Sequence, residues 1–121
     1  MLNKKNILII ITGSIAAYKT LFLIRLLVDE GANVICVTTK SAENFVTPLS
    51  LASLSGNKVY SDIFNTNDEI DMGHISLARN SDLILVAPAT ANFIAKMATG
   101  QADNLASAIL LATTKPVIIS P

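Results

Sequence analysis

The sequence predicts an α/β domain in three layers, a doubly wound parallel sheet with helices on both faces. Three observations carry this. Short apolar segments alternate with longer helical patterns along the 121 residues. The short segments are continuously apolar, as strands covered on both faces are, and do not alternate as half-exposed strands do. Hydrophobic residues make up 51% of the chain, against a usual figure of roughly 45–50% with glycine counted. Such an excess fits burial on both faces of a sheet or between subunits.

The elements follow in order. Asn6 to Thr12 reads as a buried strand and Ile15 to Glu30 as a helix, with Gly31 where a C-terminal glycine belongs. Asn33 to Thr38 is a second buried strand, and Ser41 to Val46 a short helical turn. Thr47-Pro48 has the form of an N-cap followed by proline at the first helical position, opening a helix that Gly56 closes. Lys58 to Ser61 reads as a short third strand, Asn65 to Asp71 as a polar loop, and Gly73 to Asn80 as a short helix. Asp82 to Ala87 is a strand broken by Pro88. Thr90 to Thr99 and Asp103 to Ala112 are helices separated by Gly100, and Pro116 to Ser120 is a last strand. No linker, repeat or low-complexity segment divides the chain, so residues 1–121 are expected to form one domain.

Composition excludes several classes of function. Nine basic and nine acidic residues cancel, with no basic patch or charge run, which argues against nucleic acid and anionic membranes as partners. The single cysteine, Cys36, rules out an internal disulfide and fits a reducing, cytoplasmic compartment. It sits mid-strand and reads as a small core residue. Lys4 and Lys5 before an apolar run imitate a secretory signal. However, the uninterrupted run Ile7 to Ile11 is only five residues long, and its isoleucines suit a strand. No stretch of about 18 apolar residues spans a membrane. No second histidine or paired cysteine lies at metal-ligand spacing, so no metal is expected.

In parallel sheets, ligands bind outside the carboxyl ends of the strands. That rule selects Thr12-Gly13-Ser14, Thr38-Thr39-Lys40 and Ala87-Pro88-Ala89-Thr90, all rich in small or hydroxylated residues. Gly13 allows a sharp turn. Ser14 suits an N-cap, whose helix would turn its free N–H groups toward an anion. The turn is therefore either a phosphate-holding element or an ordinary strand-to-helix connection. With one glycine it is neither G-x-G-x-x-G nor G-x-x-x-x-G-K-[ST], which disfavours a standard dinucleotide or ATP site. Thr90 and Asn92 follow the APAT turn, where they could meet a ligand or simply cap a helix. His74, the only histidine, is either an acid–base group or a surface or capping residue.

The first helix carries a separate signal. At 100° per residue, Phe22, Leu23 and Leu26 fall among Lys19, Arg25, Asp29 and Glu30. Large apolar residues on a charged face point to a subunit interface, the alternative being scattered surface leucines.

Taken together, TGSIAAYK after the first strand, TPLSL, MGHISLAR and APATANFIAKMATGQADNL form an ordered set covering nearly the whole chain. The set closely resembles the flavin-dependent cysteine decarboxylases. Within them it is most similar to the branch acting on phosphopantothenoylcysteine in coenzyme A biosynthesis. The resemblance implies a Rossmann-like fold and FMN bound between subunits of a homo-oligomer, a trimer or a multiple of trimers. It also implies decarboxylation of phosphopantothenoylcysteine to phosphopantetheine, with the flavin supplying the redox chemistry. By position it implies flavin contacts at Gly13, Ser14, Thr39, Phe45, Thr90, Ala91, Asn92 and Phe93. It also gives His74 a role in proton transfer or in holding the substrate carboxylate. In the resembled family a P-x-M-N segment and a cysteine-bearing flap follow the last strand. This sequence stops at Pro121, the first residue of that segment, and Cys36 does not match the flap cysteine. An incomplete decarboxylase domain is therefore expected, with doubtful turnover on its own. The alternatives are a peptidyl-cysteine decarboxylase, a flavin prenyltransferase, or a non-catalytic FMN-binding regulatory protein.

Overall fold

The computed structural model describes residues 3–61, 76–100 and 105–120. Five strands form one sheet in the order β3-β2-β1-β4-β5. They are β1 (Asn6–Ile11), β2 (Asn33–Thr38), β3 (Tyr60–Ser61), β4 (Leu83–Val86) and β5 (Val117–Ile119). All four pairings are parallel. The helices are α1 (Ala17–Asp29), α2 (Pro48–Ser55), α3 (residues 76–80), α4 (Ala91–Ala98) and α5 (Leu105–Ala112), with a 3-10 turn at Ser41–Asn44.

The period of two in the strands sorts the core into two halves. Ile7, Ile9 and Ile11 join Val34, Cys36 and Leu51 on the side of α1 and α2. Leu8 and Ile10 join Ile84, Val86, Phe93 and Ile109 on the side of α4 and α5. Because β1 is central, Ile7 to Ile11 are all buried, which is why the run is unbroken in the sequence. At the opposite end from the strand carboxyl termini, Asn33 Nδ2 donates to Asn6 Oδ1 at 3.0 Å. Asn57 Nδ2 donates to Asn33 Oδ1 at 2.9 Å, and the Asn6 N–H donates to Asp82 Oδ2 at 2.7 Å. These bonds clasp β1, β2, β4 and the connection after α2.

Local signals placed several boundaries well. Thr47 caps α2 by accepting the Ser50 N–H, Pro48 is its first residue, and Gly56 ends it at φ 73°, a left-handed conformation that favours glycine. Three expectations need correction. First, α1 begins at Ala17, and Ser14 is not its N-cap. Ala16 holds that place with no side-chain bond, while the Ser14 hydroxyl accepts the Ala16 N–H at 3.2 Å. The serine side chain is used two residues on, inside the turn itself. Second, the third strand is reduced to Tyr60 and Ser61, which pair with Val37 and Thr38. Third, β5 forms but is exposed along Val117, Ile118 and Ile119, because it lies at the sheet edge with β4 as its neighbour. The predicted loop at Asn65 to Asp71, the start of the helix at Gly73 and the Asp103-Asn104 cap lie outside the described residues.

On α1 the charged residues Lys19, Arg25, Asp29 and Glu30 are exposed, and so are Phe22 and Leu26, at 65% and 63%. Ile15 and Tyr18 continue this exposed apolar line toward the start of the helix. Leu23, expected among them, is half-buried. Among the described residues no helix is long and apolar enough to cross a membrane.

Candidate functional site

The strand order reverses at β1, whose chain continues to β2 on one side and whose other neighbour, β4, comes later in sequence. Such a switch point leaves a crevice at the carboxyl ends of the two strands. A cleft of about 790 Å³ opens there, lined by Thr12, Thr39, Lys40, Ser41, Glu43, Asn44, Thr90, Asn92, Phe93 and Lys96. Three elements build it: the end of β1, the end of β2 with its 3-10 turn, and the first turns of α4.

Hydrogen bonds fix the walls. The Thr39 N–H donates to the Ile11 carbonyl at 3.0 Å, tying the end of β2 to β1. The Thr90 hydroxyl accepts the Phe93 N–H at 3.2 Å, capping α4 and setting the direction of its first turn. Behind them, the Thr20 hydroxyl of α1 donates to the Ala87 carbonyl at 2.8 Å. The turn from Ala87 to Thr90 is thus held from α1, and on the other side the Ala89 N–H donates to the Ser120 carbonyl at 2.8 Å.

Gly13 acts through space, by the absence of a side chain. A Cβ built on it would stand 2.5 Å from both Cβ and Oγ of Ser41 and 2.7 Å from the Ser41 carbonyl carbon. The loop after β1 therefore lies directly against the start of the 3-10 turn that supplies Ser41, Glu43 and Asn44 to the cleft.

Of the residues expected to contact a ligand, Thr39, Thr90, Asn92 and Phe93 line the cleft. Gly13 and Ser14 belong to the loop after β1 and Ala91 opens α4, and none of the three is among the lining residues. Phe45 is half-exposed just beyond the 3-10 turn and is likewise not in the lining. His74 lies outside the described residues. Sequence reasoning missed Ser41, Glu43, Asn44 and Lys96 as site residues. Lys96 stands one helical turn after Asn92, on the same face of α4, and that spacing could have found it. Cys36 is buried mid-strand, where burial pushes its thiol up to about 12. It stays a protonated core side chain at neutral pH.

The donor set suits a flat heterocycle carrying a phosphate. Threonine, serine and asparagine side chains offer both donors and acceptors to a polar ring edge. Phe93 offers an apolar surface, and among the described residues Lys40 brings a positive charge to the lining. The volume is in the range of about 300–1,000 Å³ typical of cofactor sites.

A Rossmann-like αβα domain with a polar cleft at its switch point defines a nucleotide- or cofactor-binding class of protein. The Flavoprotein family matches residues 1–121, and the chain belongs to that family. Among curated relatives, the coenzyme A biosynthesis bifunctional protein CoaBC of Haemophilus influenzae is 49% identical over 120 residues, covering 99% of this chain and 30% of the relative. The chain thus spans less than a third of the length of that relative. Among solved structures, the FMN-dependent cysteine decarboxylase TvaF from thioviridamide biosynthesis superposes with a TM-score of 0.87 at 28% identity, covering 97% of this chain and 72% of TvaF. A PPC decarboxylase mutant complexed with pantothenoylaminoethenethiol gives 0.75 at 31% identity, covering 97% of this chain and 66% of that one.

Proposed function

We propose that this domain binds FMN in the switch-point cleft and decarboxylates phosphopantothenoylcysteine to phosphopantetheine in coenzyme A biosynthesis. The observation that carries this is the 49% identity to CoaBC across nearly the whole chain. It stands well above the 28% shared with TvaF, although TvaF superposes better than the PPC decarboxylase, at a TM-score of 0.87 against 0.75. That better superposition favours one second reading, a peptidyl-cysteine decarboxylase.

Bound flavin would supply two-electron redox chemistry, which makes the substrate carboxylate able to leave. The chain's own residues hold and orient. Thr39, Thr90 and Asn92 offer hydrogen bonds to the ring edge, Phe93 packs on an apolar surface, and Lys40 draws phosphate toward the cleft. Ser41 and the loop at Gly13 and Ser14 close the β1 side, with Ala91 and Phe45 as flanking contacts. His74 is assigned proton transfer or anchoring of the substrate carboxylate, tasks that suit a group titrating near neutrality. Such a role goes with a cytoplasmic protein.

The assay that tests this compares phosphopantothenoylcysteine with a cysteine-ending peptide, following carbon dioxide release by the FMN-loaded protein. Bleaching of the flavin and carbon dioxide release with the small phosphorylated substrate alone, for a single turnover at least, are expected. The same response to the peptide alone favours the second reading, and bound FMN that neither substrate reduces points to a regulatory flavoprotein.

The exposed line of Phe22 and Leu26 is assigned to contacts between copies of this chain, in a trimer or a multiple of trimers. Replacing both with aspartate places charge where apolar area would be buried. The double variant is expected to sediment as a smaller species than wild type in analytical ultracentrifugation. A wild-type protein that is already a monodisperse monomer contradicts the assignment.

A further inference from the structure

Thr12 is the most buried of the described residues lining the cleft. Only 2% of its surface is exposed, so its hydroxyl works mainly inside the protein. That hydroxyl donates to the Pro88 carbonyl and accepts the Thr90 N–H at 3.1 Å. The Thr12 backbone N–H also donates to the Pro88 carbonyl, at 3.3 Å. One side chain thus bridges both ends of the Pro88–Thr90 turn from the neighbouring strand. The relay continues outward, since Thr90 caps α4 through the Phe93 N–H and Asn92 and Phe93 then face the cleft.

We propose, on the basis of a flavin in this cleft, that Thr12 is a positioning residue that presets the α4 wall for the ring. Threonine is suited to this because one hydroxyl can donate and accept at once. Valine keeps the shape and loses both bonds. The turn then keeps its backbone bonds to β1 and β5 and the Thr20 bond at Ala87, but the Thr90 N–H loses its partner, which loosens Thr90 and Asn92 at the ring edge. Small displacements of positioned groups cost binding disproportionately.

The test uses Thr12→Val, Thr12→Ser and, as a control remote from the cleft, Ser81→Ala. Ser81 is also buried, and its hydroxyl donates to the Leu77 carbonyl at 2.6 Å before β4. FMN affinity is read by fluorescence titration at a temperature where circular dichroism shows each protein folded. Amide exchange at Thr90 is read by NMR in the flavin-free protein. Thr12→Val is expected to weaken FMN binding roughly tenfold or more and to speed Thr90 exchange. Thr12→Ser is expected to restore both, and Ser81→Ala to lower the melting temperature while leaving FMN affinity within about threefold. Equal FMN affinity in Thr12→Val and wild type overturns the positioning role and leaves the flavin site standing. Equal weakening by Ser81→Ala overturns it as well, since general destabilisation would then explain the loss. If Thr12→Val does not fold, wild type still decides, because a Thr90 amide exchanging like a solvent-exposed one refutes the bridge. A wild-type protein that takes up no flavin refutes the flavin reading itself, and the proposal with it.

Discussion

Gly13→Ala is expected to impair stability and ligand binding together. The new methyl group would sit 2.5 Å from Cβ and Oγ of Ser41 and 2.7 Å from its carbonyl carbon. The serine hydroxyl can rotate away, but the backbone carbon cannot move without the 3-10 turn that follows. Overpacking of this kind costs about 1–3 kcal/mol. That turn supplies Ser41, Glu43 and Asn44 to the cleft, so relieving the clash deforms the β2 wall. A displacement that weakens binding by about 1.4 kcal/mol lowers affinity tenfold. Urea unfolding and FMN titration measure the two effects separately. Loss of stability with unchanged FMN affinity would mean that the 3-10 turn does not contact the ligand.

Ile9→Ala is expected to have the largest effect on folding. Ile9 is fully buried in the middle of β1, with Cys36 and Leu85 beside it in register. It belongs to the core half beneath α1 and α2, where Ile24 and Leu51 also lie fully buried. Truncating a large aliphatic side chain in such a place costs roughly 2–5 kcal/mol through lost burial and the cavity left behind. Domains have only about 5–15 kcal/mol in total, so this substitution would bring the protein close to unfolding. Ile9→Val, which removes one methylene, is expected to cost about 0.5–1.5 kcal/mol. Ile118→Ala on the exposed edge strand is expected to stay within about 0.5 kcal/mol. Denaturant midpoints for the three variants check the order. A cost for Ile9→Ala no greater than that of Ile118→Ala would contradict the assignment of β1 as the buried centre of the sheet.

Much of this architecture was legible where one residue type has one physical reason to be present. Thr47, Pro48 and Gly56 each mark a helix end by local chemistry, and the structure has them in those places. The unbroken run Ile7 to Ile11 signals burial on both faces because β1 is central, with a core half packed against each face. Burial of the last strand was not legible. Pro116 to Ser120 looks like β1 in miniature, yet exposure depends on sheet order, and no local pattern encodes that order. Ser14 shows a different limit. A serine before a helical pattern can cap the helix or bond within its own turn, and here it takes the nearer Ala16 N–H.

The candidate site divides in the same way. Thr39 and Thr90 were found because they stand at strand ends, where parallel sheets leave room for ligands. Asn92 was singled out as a follower of the APAT turn, and Phe93 came only from the family resemblance. Ser41, Glu43 and Asn44 were missed because their place in the cleft depends on the close approach of Gly13 to Ser41. That contact joins two loops distant in sequence. Thr12 was visible as part of a strand end, but its bridge to Pro88 and Thr90 exists only once β4 lies beside β1.

The most direct test of the central claim is an absorbance spectrum of the purified protein, with the released chromophore identified by chromatography. Flavin bands, with FMN as the chromophore released from the folded protein or taken up when added, are the predicted result. A folded protein that is colourless and stays colourless with added FMN would contradict the assignment of the switch-point cleft as a flavin site.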